Sequence, residues 1–560
     1  MPTTPADASV GPLERGLAVL RTLAGAPGGR MRAGDLARAT GLARSPVDRI
    51  ATTLCRLGYL REEDRDLVLA PRLMELGGAY LRGSGIPRAL GGHATRLADE
   101  LDESVSLAVP DRDAVRFVTQ AARRRALSVA FRTGDALPAE RCAPGALFAA
   151  GWDEPQLAAW RARRRADPED AGFPAVPRRS GTGRTEEEFL RAAAEAAERG
   201  WAVDDQLVEP GLVAVAVPVR DPAGQLVCAL SAVSHTSRHS AESLRGYALP
   251  GLLRTAGRMT GALAEAAGAG PATGPAAMPM PETTSTATAT ATPSERDPSR
   301  EAKLELGPEY LQSLARGLAV LAALGGDGGG MTLAAVARAT GLPRATARRS
   351  LLTLHQLGYV AADDGVFTPL PRVLDLGYPL LSALSLGDLA QPHLADLVRR
   401  VHDSASVAVL DGDDIRYVGR VAAGRIMSVS ITVGTRFPAH ATSMGRVLLA
   451  GLPAAERGAW LDRARLEPLT DRTLTDPARL SAELDRVARD GYALVDQELE
   501  QGLRSIAVPV RGRDGRVAAA ANVSMHAGRT SLDEARETVL PVLREAAARI
   551  SADLALTSGP

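Results

Sequence analysis

The sequence predicts an α+β chain built from two tandem units, each an N-terminal winged helix-turn-helix followed by an α+β domain with a largely antiparallel sheet. Three observations carry this expectation. A set of short motifs recurs in the same order about 300 residues apart. Near the start of each copy, helical apolar periodicity is broken by a glycine turn and closed by a short hairpin pattern. After it, strand and helix patterns mix in a way that suits an α+β domain.

The repeats are direct. "RGLAVL" at 15–20 returns at 316–321, "ARATGL" at 37–42 returns at 337–342, "LGY" at 57–59 returns at 357–359, and "AVPVR" at 216–220 returns at 507–511. The offset drifts only from about 300 to about 291, so a unit of roughly 260 residues is duplicated. That period is far too long for a solenoid. Between the copies runs "GAGPATGPAAMPMPETTSTATATATPSERDPSR", rich in Ala, Thr, Pro and Gly and without an aromatic residue. Such a stretch cannot bury enough surface to order itself and is expected to be a flexible linker. The expected boundaries are a winged helix-turn-helix at 11–72, an α+β domain at 73–265, the linker at 266–303, a second winged helix-turn-helix at 304–370 and a second α+β domain at 371–556.

Bulk properties exclude several classes. At 560 residues the chain is too long for one core. Sixty-six basic residues balance 66 acidic ones, so any nucleic-acid surface must be a local patch. Cys55, Cys142 and Cys228 are far apart, which argues against a disulfide framework or a cysteine-built zinc site and fits a reducing cytoplasm. The N-terminal stretch has no apolar core of a secretory signal, and no strongly apolar run is long enough to span a bilayer.

The second copy shows the element pattern best. In "LARGLAVLAAL", Leu314, Leu318, Leu321 and Leu324 line one helical face. "MTLAAVARAT" follows, with Thr332 as the expected N-cap and Leu333, Val336 and Ala337 facing inward. Gly341 supplies a tight turn. The next helix, in "GLPRATARRSLLTLHQLGYV" at 341–360, has Leu351, Leu352, Leu354 and Leu357 on its buried side. "YVAADDGVFTPL" reads as a hairpin around a DG turn. "PRVLDLGYPLLSAL" reads as a connecting helix at 371–384. "SASVAVLDGDDIRYVGRV" reads as strand, turn, strand, "RIMSVSITVG" as a strand, "SMGRVLLAGL" as a helix, and "GLRSIAVPVRGRDGRVAAAANVSM" as a hairpin.

A winged helix reads DNA with a helix whose first turns donate to base edges and phosphates while its later turns pack into the core. Arg344, Thr346, Arg348 and Arg349 lie in those first turns, and Arg338 of the preceding helix adds charge. Arginine can bridge the two acceptors of guanine or hold a phosphate. A solvated basic face is the plain alternative; the helix spacing, the glycine turn and the hairpin favour DNA. The first copy, "GLARSPVDRIATTLCRLGYL", departs from this, with Arg44, Ser45, Asp48 and Arg49 as its candidate contacts. Asp48 stands where the second copy has Arg348 and would repel a phosphate, though it can accept from cytosine. Pro46 is tolerable because it falls in the first helical turn.

With "RIMSVSITVGTRFPAHATSMGRVLLAGL" and "GYALVDQELEQGLRSIAVPV" after the winged helix, the second unit resembles the IclR family of bacterial transcriptional regulators. It looks especially like the branch that controls aromatic-acid catabolism through the β-ketoadipate pathway. The first unit matches the same outline more loosely. The resemblance implies operator DNA as a partner, a small carboxylate effector bound by the C-terminal domain, and dimers or dimers of dimers. It places the effector against the sheet at Ser443, Met444 and Gly445, with Asp496, Ser505, Asn522 and Ser524 around it. Asn522 and Ser524 are two apart and so share a strand face, and the helix opened by Gly445 offers N–H groups to a carboxylate. Arg425, His440 and Arg504 are the candidates to pair an acid's charge; the alternative is that Arg425 and Arg504 only pair with Glu498 or Glu500.

In the first unit Ala143, Pro144, Ser231 and Val233 stand for Ser443, Met444, Asn522 and Ser524, so that site is expected to take a different ligand or none. Two fused, diverged units can form a pseudo-dimer within the chain, or the chain can associate as a homo-oligomer. An enzyme is the main rival class, but no GxSxG, HExxH or P-loop is present. "GGDGGG" at 325–330 lacks the Lys-Ser/Thr ending, and the histidines show no ligand spacing. No cofactor or metal is expected. The other rival is a ligand-sensing scaffold whose first unit has lost DNA or effector binding.

Overall fold

The computed structural model describes residues 10–123, 131–176, 184–268, 303–326, 330–423 and 431–557. The expected linker lies almost wholly outside these residues, as do Arg425 and most of the expected strand at 425–434. Of that stretch the described Ile431–Gly434 are not strand; Val433 and Gly434 form a turn.

The first winged helix comprises α1 (Gly11–Ala24), α2 (Ala33–Thr40), α3 (Arg44–Arg56) and a small sheet of β1 (Arg30–Arg32), β2 (Leu60–Glu63) and β3 (Asp66–Leu69), in the order β1-β3-β2. Two helices follow, α4 (Met74–Ser84) and α5 (Ile86–Leu101). The first α+β domain then holds β4 (Ser104–Asp111), β5 (Ala114–Ala121), β6 (Ala136–Pro138), α6 (Ala143–Ala149), α7 (Glu154–Ala166), α8 (Glu186–Arg199), β7 (Ala202–Asp205), β8 (Leu212–Arg220), β9 (Leu226–His235) and α9 (Ala241–Gly268). Its antiparallel sheet runs β6-β5-β4-β9-β8-β7.

The second winged helix repeats the first with α10 (Gln312–Ala323), β10 (Met331–Thr332), α11 (Leu333–Thr340), α12 (Arg344–Gln356), β11 (Val360–Asp363) and β12 (Val366–Pro369). The local chemistry is as expected. Thr332 Oγ1 caps α11 by accepting from Ala335 N at 3.3 Å, and Gly341 ends that helix at φ +67°. Leu314, Leu318, Leu321, Leu324, Leu351 and Leu354 are buried, while Leu352 and Leu357 are half-buried. Asp364 and Gly365 turn the hairpin with φ +43° and +76°, the signature of a type I′ turn.

The connecting segment corrects the sequence reading. It is not one helix across 371–384. Pro371–Leu376 form a 3₁₀ turn, Gly377 breaks the chain direction at φ +111°, and only α13 (Tyr378–Leu381) is α-helical. In the first copy the matching Gly77 stays helical inside α4. A Cβ on Gly77 would come within 2.3 Å of the Tyr378 ring, so the bare glycine makes room for the broken connector of the second copy.

The chain divides into two compact units, residues 1–382 and 383–559. The division does not follow the duplication: both winged helices lie in the first unit. There they pair about a pseudo-two-fold axis. α1 packs on α10, with Leu314 facing Gly16 and Leu13 facing Gly317; a Cβ on either glycine would lie 2.4 Å from the opposing leucine. The first α+β domain is tied to the second connector by Arg116, 3% exposed, whose guanidinium reaches Asp111 at 2.6 Å, Asp375 at 2.5 Å and Gly134 O at 2.7 Å.

The second compact unit holds α14 (Leu386–Val401), β13 (Ser404–Asp411), β14 (Asp414–Val421), β15 (Arg436–Pro438), α15 (Ser443–Ala450), α16 (Ala454–Arg463), α17 (Pro477–Asp490), β16 (Ala493–Asp496), β17 (Leu503–Arg511), β18 (Val517–His526) and α18 (Leu540–Thr557). Its sheet runs β15-β14-β13-β18-β17-β16. Alternation splits it into two cores. Val407, Ile506, Val508, Ala521 and Val523 pack against α14 and α18. Ala408, Ala493, Ala507 and Ala520 pack against Met444 and Leu448 of α15 and Leu480 and Leu484 of α17.

Candidate nucleic-acid and effector sites

On α12 the buried side is Ala347, Ser350, Leu351 and Leu354. Arg344, Arg348 and Arg349 project from the opposite side and are exposed, as is Arg338 in the last turn of α11. Among the described residues, none of these four guanidinium groups has a hydrogen-bond or ion-pair partner. Thr346 is half-buried. Free arginines on the first turns of a helix held rigidly by its leucines suit groove and phosphate contacts.

The first copy uses its charges internally. Arg44 Nε donates to both oxygens of Asp48, at 2.8 and 3.1 Å. Arg38 pairs with Asp35, and Arg30 with Asp66 at 3.0 Å. Arg49 donates from Nε to Pro308 O, at 3.0 Å. Ser45 is exposed at the helix start. The substitution of Asp48 for the arginine at 348 therefore does more than remove a donor: it also occupies the neighbouring one.

In the second sensor sheet, register and alternation put Ser406, Ser505, Asn522 and Ser524 on the face that α15 covers. Asn522 pairs with Ser406 on one side and Ala507 on the other. Its Nδ2 donates to Ser524 Oγ at 3.1 Å. Ser443 and Met444 open α15 against this face, each 1% exposed. Three buried atoms here have no partner among the described residues: Ser406 Oγ, Ser443 Oγ and Asn522 Oδ1. Buried polar atoms are rarely left unpaired in a native fold, so the cluster is chemically incomplete. It offers two hydroxyl donors and one amide acceptor.

Other sequence candidates fall elsewhere. Asp496 and Arg504 are cross-strand partners on the opposite face, because they lie one residue away from Val495 and Ser505. Arg504 gives two hydrogen bonds to Asp496 Oδ1, at 2.9 and 2.7 Å, and another to Thr530 O. Its charge is already spent there. His440 is 2% exposed and its Nε2 lies 3.1 Å from Glu467 O. Gly445 is required for close approach: a Cβ would sit 2.1 Å from Ala439 O. Its N–H does not wait for a carboxylate, since Thr442 Oγ1 accepts it at 3.1 Å. Arg425 lies outside the described residues. Sequence reasoning missed Ser406; the signal was its strand-pairing partner, which only the register reveals. It also missed Arg446, buried at 2%, which pairs with Glu498 at 2.5 Å.

The first sensor sheet keeps the architecture with different chemistry. Asp204 stands where the second copy has Val495, faces the same side through its pairing with Ala214, and is 1% exposed. Burial pushes its carboxyl up to about 7. Reactive-thiol chemistry is disfavoured: burial raises Cys55 to about 11 and Cys228 to about 12, and lifts Cys142 strongly. Among the described residues no His, Cys, Asp or Glu group is arranged to hold a metal, and no helix is long and apolar enough to cross a membrane.

A winged helix with free arginines on its recognition helix, set before a domain with an incomplete polar cluster under a helix start, defines a DNA-binding transcriptional regulator. The IclR helix-turn-helix domain matches residues 12–64 and 313–364, and the bacterial transcriptional regulator IclR C-terminal domain matches 78–260 and 379–552. The chain belongs to the IclR family of bacterial transcriptional regulators, carried twice. It is 46% identical over 237 residues to the Pca regulon regulatory protein of Pseudomonas putida, covering 42% of this chain and 81% of that protein. It is 36% identical over 244 residues to the p-hydroxybenzoate hydroxylase transcriptional activator of Acinetobacter baylyi, covering 43% of this chain and 90% of that one. A crystal structure of a putative transcriptional regulator from Rhodococcus sp. RHA1 shares 53% identity over 44% of this chain and 99% of its own, with a TM-score of 0.42. The curated relatives are named as transcriptional regulators, not as enzymes.

Proposed function

We propose that the chain is a single-chain pseudo-dimeric regulator of aromatic-acid catabolism, acting on operator DNA in the bacterial cytoplasm and controlled by a small hydroxylated aromatic carboxylate bound in the second sensor domain. The observation that carries this reading is the partnerless trio of Ser406 Oγ, Ser443 Oγ and Asn522 Oδ1 on one buried face. Two hydroxyls can donate to a carboxylate, and the amide oxygen can accept from a ring hydroxyl. The names of the Pseudomonas and Acinetobacter relatives support the same substrate class. Arg344, Arg348, Arg349, Arg338 and Thr346 are the proposed DNA contacts of the second half.

The paired winged helices supply both heads of an operator-binding unit within one chain, so the operator need not be a palindrome. The Arg44–Asp48 pair favours a secondary reading in which the first head contacts DNA weakly and acts chiefly as a partner for the second. The test is fluorescence-anisotropy binding to the chain's own upstream DNA and to neighbouring catabolic promoters. It is run with and without protocatechuate, 4-hydroxybenzoate and β-ketoadipate. Specific binding changed by an aromatic acid is expected; indifference to all three acids would overturn the effector assignment.

A further inference from the structure

The pseudo-dyad between the winged helices carries a recess whose wall includes Arg349 and Thr346 of the second recognition helix and Arg49 of the first. Its volume is about 510 Å³. Four cationic residues line it, Arg49 from the first half and Lys303, Arg316 and Arg349 from the second, and no carboxylate does among the described residues. In a chain with as many acids as bases, that segregation of sign is local and strong.

Two helices begin at this recess. Val10–Pro12, at the start of α1, and Leu311–Ser313, at the start of α10, are both in its wall. Neither N-cap side chain caps its own helix, and the Val10 and Leu311 N–H groups donate to Thr353 and Thr53 across the seam, which leaves the N–H groups after them for a ligand. Their positive dipole ends therefore add to the four cations. The independent observation is Ser350. It is 2% exposed, lines the recess, and its hydroxyl has no hydrogen-bond partner among the described residues. The first half has buried Ile50 at the matching position, so the hydroxyl is not demanded by the helix packing. A hydroxyl without a protein partner among the described residues, on the wall of a recess that four cations line, suits an oxygen-rich anion.

We infer that the recess on the pseudo-dyad is a phosphate-binding site. The phosphate has two possible sources with the same chemistry: the operator backbone midway between the half-sites, or a free phosphorylated anion. Arg349 and Thr346 reach the wall from the recognition helix of the second half, and Arg49 from that of the first. Occupancy therefore bears on the spacing of the two recognition helices. The inference rests on the DNA-binding reading only for the first source.

The test uses the full chain in two arms. In the first, pyrophosphate is titrated by calorimetry without DNA. In the second, the operator carries neutral methylphosphonates at its centre. The variants are Arg349→Gln and Ser350→Ile, the latter carrying the first half's residue; thermal unfolding checks that each is folded. Saturable pyrophosphate binding, weakened at least tenfold in both variants, supports a free anion. An affinity loss of about tenfold on central methylphosphonates, present in the wild type and absent in Ser350→Ile, supports the operator backbone. Failure of both arms overturns the inference. Loss of all specific operator binding by the wild type would instead sink the DNA reading, while the pyrophosphate arm still reads the recess.

Discussion

Val10 donates its backbone N–H to the hydroxyl of Thr353 at 3.0 Å, and the same contact recurs in mirror, from Leu311 N–H to Thr53 Oγ1 at 2.9 Å. The two halves of the duplicated chain are thus bonded to each other as subunits of a symmetric dimer are. The seam is self-complementary because each half supplies both the donor and the acceptor, and both the leucine and the glycine notch.

This seam is predicted to be intolerant of side chains at its notches. Gly317→Val and Gly16→Val should each lower the midpoint of thermal unfolding by several degrees, equivalent to about 1–3 kcal/mol of overpacking. Thr353→Val should cost about 1–3 kcal/mol, since the hydroxyl both accepts from Val10 N and donates to Arg349 O. Unchanged melting of both glycine variants would contradict the described pairing.

The recognition helices are predicted to be unequal. Arg348→Ala should cost about 1–3 kcal/mol in operator affinity if it holds a base, or flatten the salt dependence by about one unit if it holds a phosphate. Arg44→Ala should do little, because Asp48 already neutralises that arginine. Asp48→Ala should release Arg44 and tighten binding at low salt. Equal losses from Arg44→Ala and Arg348→Ala in an anisotropy titration would refute the asymmetry.

Arg116 and Arg416 occupy matching strand positions with unlike burial. Arg116 is 3% exposed between two aspartates, whereas the Arg416 side chain is 50% exposed beside Asp411 at 3.1 Å. Removing the buried partner leaves an uncompensated charge, so Arg116→Met should destabilise by about 3 kcal/mol. Arg416→Met should cost no more than about 1 kcal/mol. Urea unfolding of the two variants distinguishes them.

Asp204 gives the first sensor domain a pH signature. Its carboxyl sits near 7 in the folded chain, against an ordinary value of 3.8, so the folded state holds a proton that the unfolded state has released between those values. Stability from this group therefore falls as pH rises from about 4 to 7 and is level above. Asp204→Asn should remove that slope and stabilise the chain at pH 8, by on the order of a few kcal/mol. Parallel pH profiles of wild type and variant would contradict the assignment.

Asn522→Leu fills the polar face with a side chain of similar size and removes its acceptor. If the proposed aromatic acid binds there, its calorimetric affinity should fall at least tenfold, while operator binding without effector persists. An unchanged affinity would move the effector site away from this sheet.

Local chemistry made much of the fold legible beforehand. Thr332, Gly341 and the Asp364–Gly365 turn act through neighbours a few residues away, and each does what its type suggests. The broken connector was not legible, because Gly377 turns left-handed while its counterpart Gly77 stays helical; packing between the copies distinguishes two identical residues. The effector candidates divided for a similar reason. Ser505 and Arg504 are adjacent in sequence, yet strand alternation sends them to opposite cores, and only the register with β18 identifies Ser406 as a neighbour of Asn522.

The sequence by itself determined the duplication, the two winged helices, the arginines at the start of the second recognition helix and their partial loss in the first. These follow from periodicity, caps and turns, which are short-range. The structure showed that Arg44 is held by Asp48, and the tertiary structure alone decided that both winged helices join in one compact unit and that four cations meet on a shared seam. The Arg44–Asp48 pair spans one helical turn, but the other two outcomes depend on side chains brought together across some 300 positions of chain. Burial, shape and charge select such contacts only once the glycine notches of α1 and α10 let the two helices touch.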